Sequence, residues 1–196
     1  MRKVRLAGLA ALPALALLSG CLGGGSAPAE LLTLTPTTAV PAGTARSGAT
    51  GESVAVLTPT VPREVNTRRI PVYVNPITIE YLTNATWIEE PPELFRRLLS
   101  ETIATRTQRL VLDPNNFAAE AGVTISGQLL RFGFDPSRME AVVVYEAAQT
   151  RRGQPLQTQR FEARVPVTAQ TALVIAPALN DASNQVAVQV ADWIGG

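Results

Sequence analysis

Three consecutive segments in the second half of the chain carry the pattern that most restricts its fold. The segments 122–134, 139–149 and 156–167 are rich in β-branched and aromatic residues, and turn sequences separate them. In the last segment apolar and charged residues alternate, which places Phe161 and Val165 on the same side of a strand. Because short connections join neighbouring antiparallel strands, the pattern predicts a three-stranded antiparallel meander.

Two helices are predicted around this meander. Segment 91–107 opens with two prolines, which suit a first helical turn, and its apolar residues recur at helical spacing. The tail 168–196 is predicted to be a C-terminal helix that Pro177 breaks or kinks. A short strand at residues 172–177, ALVIAP, is the alternative for the start of the tail.

Shorter strand-like segments precede and follow the first helix. They lie at residues 31–37, 53–62, 68–82 and 109–113. Together with the meander they predict an α+β domain, in which an antiparallel sheet of about four to five strands carries two helices on one face. The other face of the sheet is expected to meet solvent or a partner. The expected structural anchors are large apolar residues of the helices and strands: Trp87, Leu94, Leu98, Phe132, Phe161 and Trp193.

The N-terminus has the organisation of an export signal. Basic residues are followed by an uncharged apolar run, Leu6–Leu18, which is shorter than the roughly 20 residues needed to span a bilayer. The run ends in Leu18-Ser19-Gly20-Cys21, which resembles a bacterial lipobox. That resemblance implies cleavage between Gly20 and Cys21, and attachment of fatty acyl chains such as palmitate to Cys21. An ordinary signal peptide with a coincidental cysteine is the alternative.

This interpretation divides the chain into three parts. Residues 1–20 are the expected signal peptide, 21–30 a lipidated tether, and 31–196 the folded domain. Two or more acyl chains on Cys21 would anchor the domain stably, since each buried CH2 contributes about 0.8 kcal/mol. Leu22 follows the cysteine, where an Asp marks inner-membrane retention in enterobacteria. The expected location is therefore the inner leaflet of the outer membrane, facing the periplasm.

Composition restricts the chemistry of the exported chain. The sequence has formal charge +1, and removal of Arg2, Lys3 and Arg5 with the signal leaves −2, so no nucleic-acid partner is expected. The chain contains no histidine, and its only cysteine is assigned to the lipid. Nucleophilic triads with histidine and zinc sites are therefore excluded, and neither a metal nor a cofactor is expected.

A carboxylate-dependent enzyme is the remaining catalytic alternative. The closest acidic cluster is Glu89, Glu90 and Glu93. It stands at the predicted start of a helix, where acidic side chains favour the helix dipole, so a structural role is the simpler explanation. No glycine-rich phosphate loop is present in the sequence. We therefore expect a protein that is not an enzyme.

Several of these segments together resemble a known family. The lipobox, the early LLTLTP segment, Trp87 before an apolar helix, a strand ending in LLRFGF and a C-terminal helix are similar to the ABC-type transport auxiliary lipoproteins. The resemblance covers about residues 31–194. The loop at 38–52 and the proline-broken segment 53–76 depart from the family pattern. The resemblance implies a fold similar to the N-terminal α+β domain of TolB-like proteins.

The resemblance also implies a function and partners. The protein would be an accessory lipoprotein of an MCE-type system, bound to the MCE-domain protein, whose permease and ATPase lie elsewhere. Such systems move phospholipids or other hydrophobic molecules and maintain outer-membrane lipid balance. Because MCE proteins form rings, a homo-oligomer is a further expectation. The alternatives are a structural lipoprotein in outer-membrane protein or lipopolysaccharide assembly, and a domain that itself carries lipid.

Overall fold

The computed structural model describes residues 30–117 and 121–195. The signal segment 1–20, Cys21 and most of the predicted tether lie outside the described residues. Within these ranges the chain forms seven strands and three α-helices. The strands are β1 (Val54–Val56), β2 (Pro71–Asn75), β3 (Thr78–Tyr81), β4 (Val111–Leu112), β5 (Val123–Asp135), β6 (Glu140–Arg151) and β7 (Gln157–Pro166); the helices are α1 (Pro91–Thr107), α2 (Pro114–Phe117) and α3 (Ala172–Gly195).

The predicted meander forms the centre of the sheet. β5 pairs antiparallel with β6 over its whole length, and β6 pairs antiparallel with β7. The pairing of β5 shifts register between Leu129 and Arg131, where one extra residue forms a bulge. At Gly127 a Cβ atom would stand 2.1 Å from the carbonyl oxygen of Glu146, so the close approach of β6 requires glycine there.

Helix α1 has the bounds that its sequence pattern predicts. Pro91 occupies the first turn, where its missing N–H costs no hydrogen bond. The helix ends at Thr107 because Gln108 takes the left-handed conformation at φ 55°. The face that is buried against the sheet and α3 carries the apolar stripe Leu94, Phe95, Leu98, Leu99 and Ile103.

Helix α3 runs without a break across Pro177, so the predicted break and the alternative strand at 172–177 are wrong, whereas the kink stays a prediction. Proline removes the hydrogen bond to the carbonyl four residues earlier, here that of Leu173. Pro177 is exposed, and Leu173 is 82% exposed, so water reaches this part of the helix surface. The lost bond therefore costs little. The buried stripe from Leu179 to Ile194 holds the rest of the helix on the sheet.

The α+β class is confirmed, but the expected antiparallel sheet of four to five strands is wrong. The described sheet is mixed: β1 pairs parallel with both β4 and β5, and β2 pairs parallel with β5. The segment predicted as one strand at 68–82 is the antiparallel hairpin of β2 and β3. In each parallel pair, α1 lies between the two strands in the sequence. Such a crossover connection brings the chain back to the sheet in the same direction.

The segment predicted as a first strand, 31–37, contributes only an isolated bridge between Leu32 and Trp87. Beyond that bridge it crosses the outer side of α3. The backbone N–H groups of Thr35 and Thr37 each donate to a side-chain oxygen, of Asn180 and Asn184 respectively, at 2.8 Å. The segment therefore forms a strap over the helix, and its hydrogen bonds go to side chains instead of a neighbouring strand.

One hydrophobic core joins the sheet to α1 and α3, which lie on the same face. The two helices run side by side, and Arg106 near the end of α1 pairs with Asp192 near the end of α3. Arg151, at the end of β6, donates to the carbonyl of Ile194 at 2.9 Å. The C-termini of both helices therefore lie at the end of the sheet where β5 begins. We call the other end, where β5 ends and α3 begins, the hairpin end.

Candidate docking surface

The sheet presents its other face to the outside, and this face of β5, β6 and β7 is the candidate docking surface. Its most exposed members are alternating residues of β7, including Arg160 and Glu162. Val142 and Val144 of β6 point to the same side and are buried, yet they do not belong to the core under the helices. Their neighbours in the register include three long charged side chains, whose aliphatic stems cover the two valines: Arg131, Arg164 and Glu162.

Ion pairs connect the strands across this surface. Arg160 donates to the carboxylate of Glu146 at 2.6 Å, and Arg164 lies 3.3 Å from that of Glu140 and bonds Glu162 as well. Both side chains of the Arg160 pair are more than a third exposed, and exposed pairs contribute only about 0–1 kcal/mol to stability. The charged groups can therefore exchange partners with a docked protein at little cost to the fold.

At the hairpin end of this surface, three arginine side chains surround the carboxylate of Asp135. Its side chain is 6% exposed, and its carboxylate lies 3.2 Å from Arg138, 3.9 Å from Arg164 and 4.0 Å from Arg131. It also accepts a hydrogen bond of 2.6 Å from the hydroxyl of Ser137. Burial raises the pKa of Asp135, but the hydrogen bonds from Ser137 and Arg138 outweigh it, and the net pKa lies below its ordinary value.

A groove of about 600 Å³ separates this cluster from the β2–β3 hairpin. The ring of Tyr73 forms its floor beneath the guanidinium of Arg131, whose carbon lies 4.2 Å from the ring centroid. The hydroxyl of Tyr73 accepts from the N–H of Phe132 at 3.2 Å, and burial raises the pKa of Tyr73. Val74 and Ile79 form an apolar wall, so the groove combines apolar surface with arginine side chains and the carboxylates of Glu64 and Asp135.

Replacing Asp135 with asparagine is expected to lower the free energy of unfolding at pH 7 by about 1–3 kcal/mol, because it weakens charged hydrogen bonds at a buried carboxylate. The folded pKa is lowered, so this stabilisation is complete above the unfolded pKa of about 3.9. It is lost as the pH falls through the folded pKa. Urea unfolding of wild type and variant should therefore differ at neutral pH and converge only below about pH 3.9.

Asp192→Asn is the matched control, since it removes the same charge from an exposed pair with Arg106. We expect a smaller loss of stability at neutral pH for this variant. Equal losses for Asp135→Asn and Asp192→Asn would show that the burial of Asp135 does not matter.

The predicted structural anchors lie in the core and not on the docking surface. Trp193 is partly buried and packs against this core, with its ring centroid 5.6 Å from that of Phe161. The other five anchors are buried: Trp87, Leu94, Leu98, Phe132 and Phe161. The predicted lipidation and cleavage residues, Gly20 and Cys21, lie outside the described residues.

Two of the three acidic residues at the start of α1 form ion pairs with arginines of that helix. Glu89 lies 2.8 Å from Arg97, and Glu93 lies 3.3 Å from Arg96. Glu90 is the N-cap residue just before Pro91, and its carbonyl accepts from the N–H of Glu93 at 3.1 Å. These contacts agree with a structural role for the cluster.

Sequence reasoning does not find the cluster around Asp135. The turn signal at 135–138 is visible in the sequence, but the three arginines come from β5, the following turn and β7. Within the described residues no group of acidic or other ligating side chains has the arrangement of a metal site. None of the described helices combines the length and apolar character that a membrane span requires.

Comparison with known proteins shows which proteins share this fold. The model of the family described as ABC-type transport auxiliary lipoprotein component matches residues 32–191. The crystal structure of an uncharacterized protein superposes with a TM-score of 0.66 at 13% identity, covering 84% of this chain and 99% of the other. That of protein XCC0632 from Xanthomonas campestris gives 0.62 at 17% identity, covering 83% and 90%. No curated protein sequence matches the chain.

Proposed function

The chain belongs to the family of ABC-type transport auxiliary lipoprotein components, and from this membership we propose that it is a membrane-anchored periplasmic accessory protein of an MCE-type transporter. The system would move phospholipids or other hydrophobic molecules and maintain the lipid balance of the outer membrane. The observation that carries the proposal is the family match, which spans nearly the whole described domain.

The proposed role is docking and not catalysis. The space between the sheet and the helices is filled by large side chains that are fully buried, among them Trp87, Phe95, Phe132, Phe134 and Tyr145. A packed interior supports a rigid adaptor more than a domain that itself carries lipid. The energy for transport would come from the ATPase of the system, and the lipid anchor on Cys21 would fix the position of the adaptor in the envelope.

The outer face of β5, β6 and β7 is the proposed contact with the MCE-domain protein. It offers a broad sheet surface, exchangeable ion pairs and two valines beneath the charged side chains. Interfaces of this kind combine a small apolar centre with a polar rim. A homo-oligomer stays a prediction, which sedimentation of the purified lipoprotein would test.

Affinity capture with the lipidated protein tests this proposal. We expect the wild type to recover the MCE-domain protein together with the permease and ATPase, identified by mass spectrometry. Arg160→Glu should reduce the recovery by about tenfold, because it places like charges side by side at Glu146 and alters the proposed interface.

Arg106→Glu is the matched control on the helix side of the domain. It also breaks one exposed pair between an arginine and a carboxylate, that with Asp192, and should leave recovery unchanged. If both variants bind equally, the MCE contact lies elsewhere. Recovery of barrel-assembly or lipopolysaccharide-export proteins instead would support the structural alternative and refute the transport role.

A further inference from the structure

Exposed apolar side chains are unevenly distributed over the described domain. The large ones are Leu31, Val74, Ile77, Ile79, Ile88, Leu156 and Leu173. Leu156 lies in the connection between β6 and β7, at the end where β5 begins. Of the other six, Val74, Ile77 and Ile79 lie on the β2–β3 hairpin, Leu173 lies at the start of α3, and Leu31 and Ile88 lie beside the entry of the chain, close to the start of α1.

The β2–β3 hairpin extends past the end of the sheet. β2 runs parallel to β5 with Val72 opposite Phe134, so the residues after Val72 continue beyond the last residue of β5, Asp135. The turn places Ile77 at the tip, where it is 95% exposed. The N–H of Ile77 donates to the side-chain oxygen of Asn75 at 3.0 Å, which fixes the turn.

The chain enters the domain beside the segment that leads into β2, close to the start of α1. The N–H of Leu32 donates to the carbonyl of Thr86 at 2.9 Å, and that of Ile88 donates to the carbonyl of Leu32 at 2.8 Å. Leu31 and Ile88 are about half exposed around this entry point. The predicted tether residues after the cysteine, 22–30, reach at most about 30 Å. An anchor on Cys21 would therefore keep the domain within about 30 Å of the bilayer and would allow the hairpin tip to reach it.

Basic groups accompany the apolar ones. At the base of the hairpin the guanidinium of Arg69 lies 4.1 Å from the centroid of the Tyr81 ring, and Arg138, which pairs with Asp135, has a side chain that is 63% exposed. Carboxylates are also present: Glu64 and Asp135 line the groove behind the hairpin. Glu80 is exposed on β3, but it alternates with Ile79 and so points to the opposite face of the hairpin. Guanidinium groups beside exposed apolar side chains suit the headgroup region of a bilayer, where phosphates lie next to acyl chains.

We propose that the tip of the β2–β3 hairpin inserts Ile77 into the interface of the bilayer that carries the lipid on Cys21. This inference rests on the proposed anchoring and adds an orientation to it. The anchor supplies attachment, and the hairpin is a second contact that keeps the hairpin end toward the bilayer. The docking surface on the sheet then stands beside the membrane and faces the periplasm.

A single fluorescent label tests the proposal in the lipidated protein. Cys21 is the only cysteine of the chain, so once its sulfur carries lipid, Ile77→Cys provides the one free thiol. The label is an environment-sensitive dye, and the protein is reconstituted in vesicles of phosphatidylethanolamine and phosphatidylglycerol with a lipid-borne quencher. We expect an apolar emission spectrum and several-fold stronger quenching than for the same label at Leu156→Cys.

Leu156→Cys is the matched control, because Leu156 is also apolar and exposed but lies at the other end. A label at position 77 that remains in water overturns the proposal, as does protection that occurs only when transporter proteins are added. The last result would identify the hairpin as a protein contact. A protein that does not float with the vesicles and shows two reactive thiols would instead refute the lipid anchor, and with it both proposals.

Discussion

Replacing Trp87 with alanine is expected to lower the free energy of unfolding by about 3–5 kcal/mol, the cost of removing a large aromatic side chain from a packed core. Trp87 is completely buried, and its ring centroid lies 5.6 Å from that of Phe132. Its backbone joins separate segments, since its N–H donates to the carbonyl of Arg68 and it bridges Leu32. Loss of the ring would leave a cavity where these segments meet. Urea unfolding followed by far-UV circular dichroism measures the effect.

Two further variants separate the contributions of this side chain. Trp87→Phe keeps an aromatic ring and removes the indole N–H, which has no hydrogen-bond partner within the described structure. We expect it to cost less than Trp87→Ala, since the unpartnered polar group is removed as well. Trp193→Ala should also cost less, because Trp193 is only partly buried. Equal losses of unfolding free energy for Trp87→Ala and Trp193→Ala would show that the complete burial of Trp87 does not increase its contribution to stability.

The sequence predicts a helix or strand well when the pattern that specifies it lies within the residues of that element. The bounds of α1 follow from Pro91 and from an apolar stripe, and the meander follows from alternation and turn residues. The parallel pairing of β1 and β2 with β5 could not be predicted, because each of those strands is short and its partner is distant in sequence. Local patterns identify a strand but not its neighbour.

The strap and the charge cluster escape prediction for the same reason. The strap depends on Asn180 and Asn184, which are 145 and 147 residues from their partners and resemble ordinary polar positions of a helix. The three arginines lie close to Asp135 only because β5, β6 and β7 pair in the sheet. The alternating charges of β7 do predict a polar outer face, but not the two valines that are buried beneath it.

Replacing Cys21 with alanine is expected to move the protein from the membrane fraction to the soluble periplasmic fraction. The substitution is best combined with Leu18→Ala and Gly20→Ala, which create a small-residue cleavage site, so that the apolar leader does not itself retain the protein. Fractionation followed by immunoblotting measures the distribution. Labelled palmitate should be incorporated into the wild type and not into the variant.

We expect nearly complete release of the Cys21→Ala variant, because the acyl chains contribute far more binding free energy than the second proposed membrane contact, Ile77. Each buried CH2 of an acyl chain contributes about 0.8 kcal/mol, so two chains bind nearly irreversibly. Burial of one isoleucine contributes about 1.5–3 kcal/mol, so Ile77 can orient an anchored domain but cannot retain a free one. Ser26→Ala, which leaves Cys21 intact, should remain in the membrane fraction. Membrane retention of the cleaved Cys21→Ala variant would mean that protein contacts hold the domain in place and that the lipid is not its main anchor.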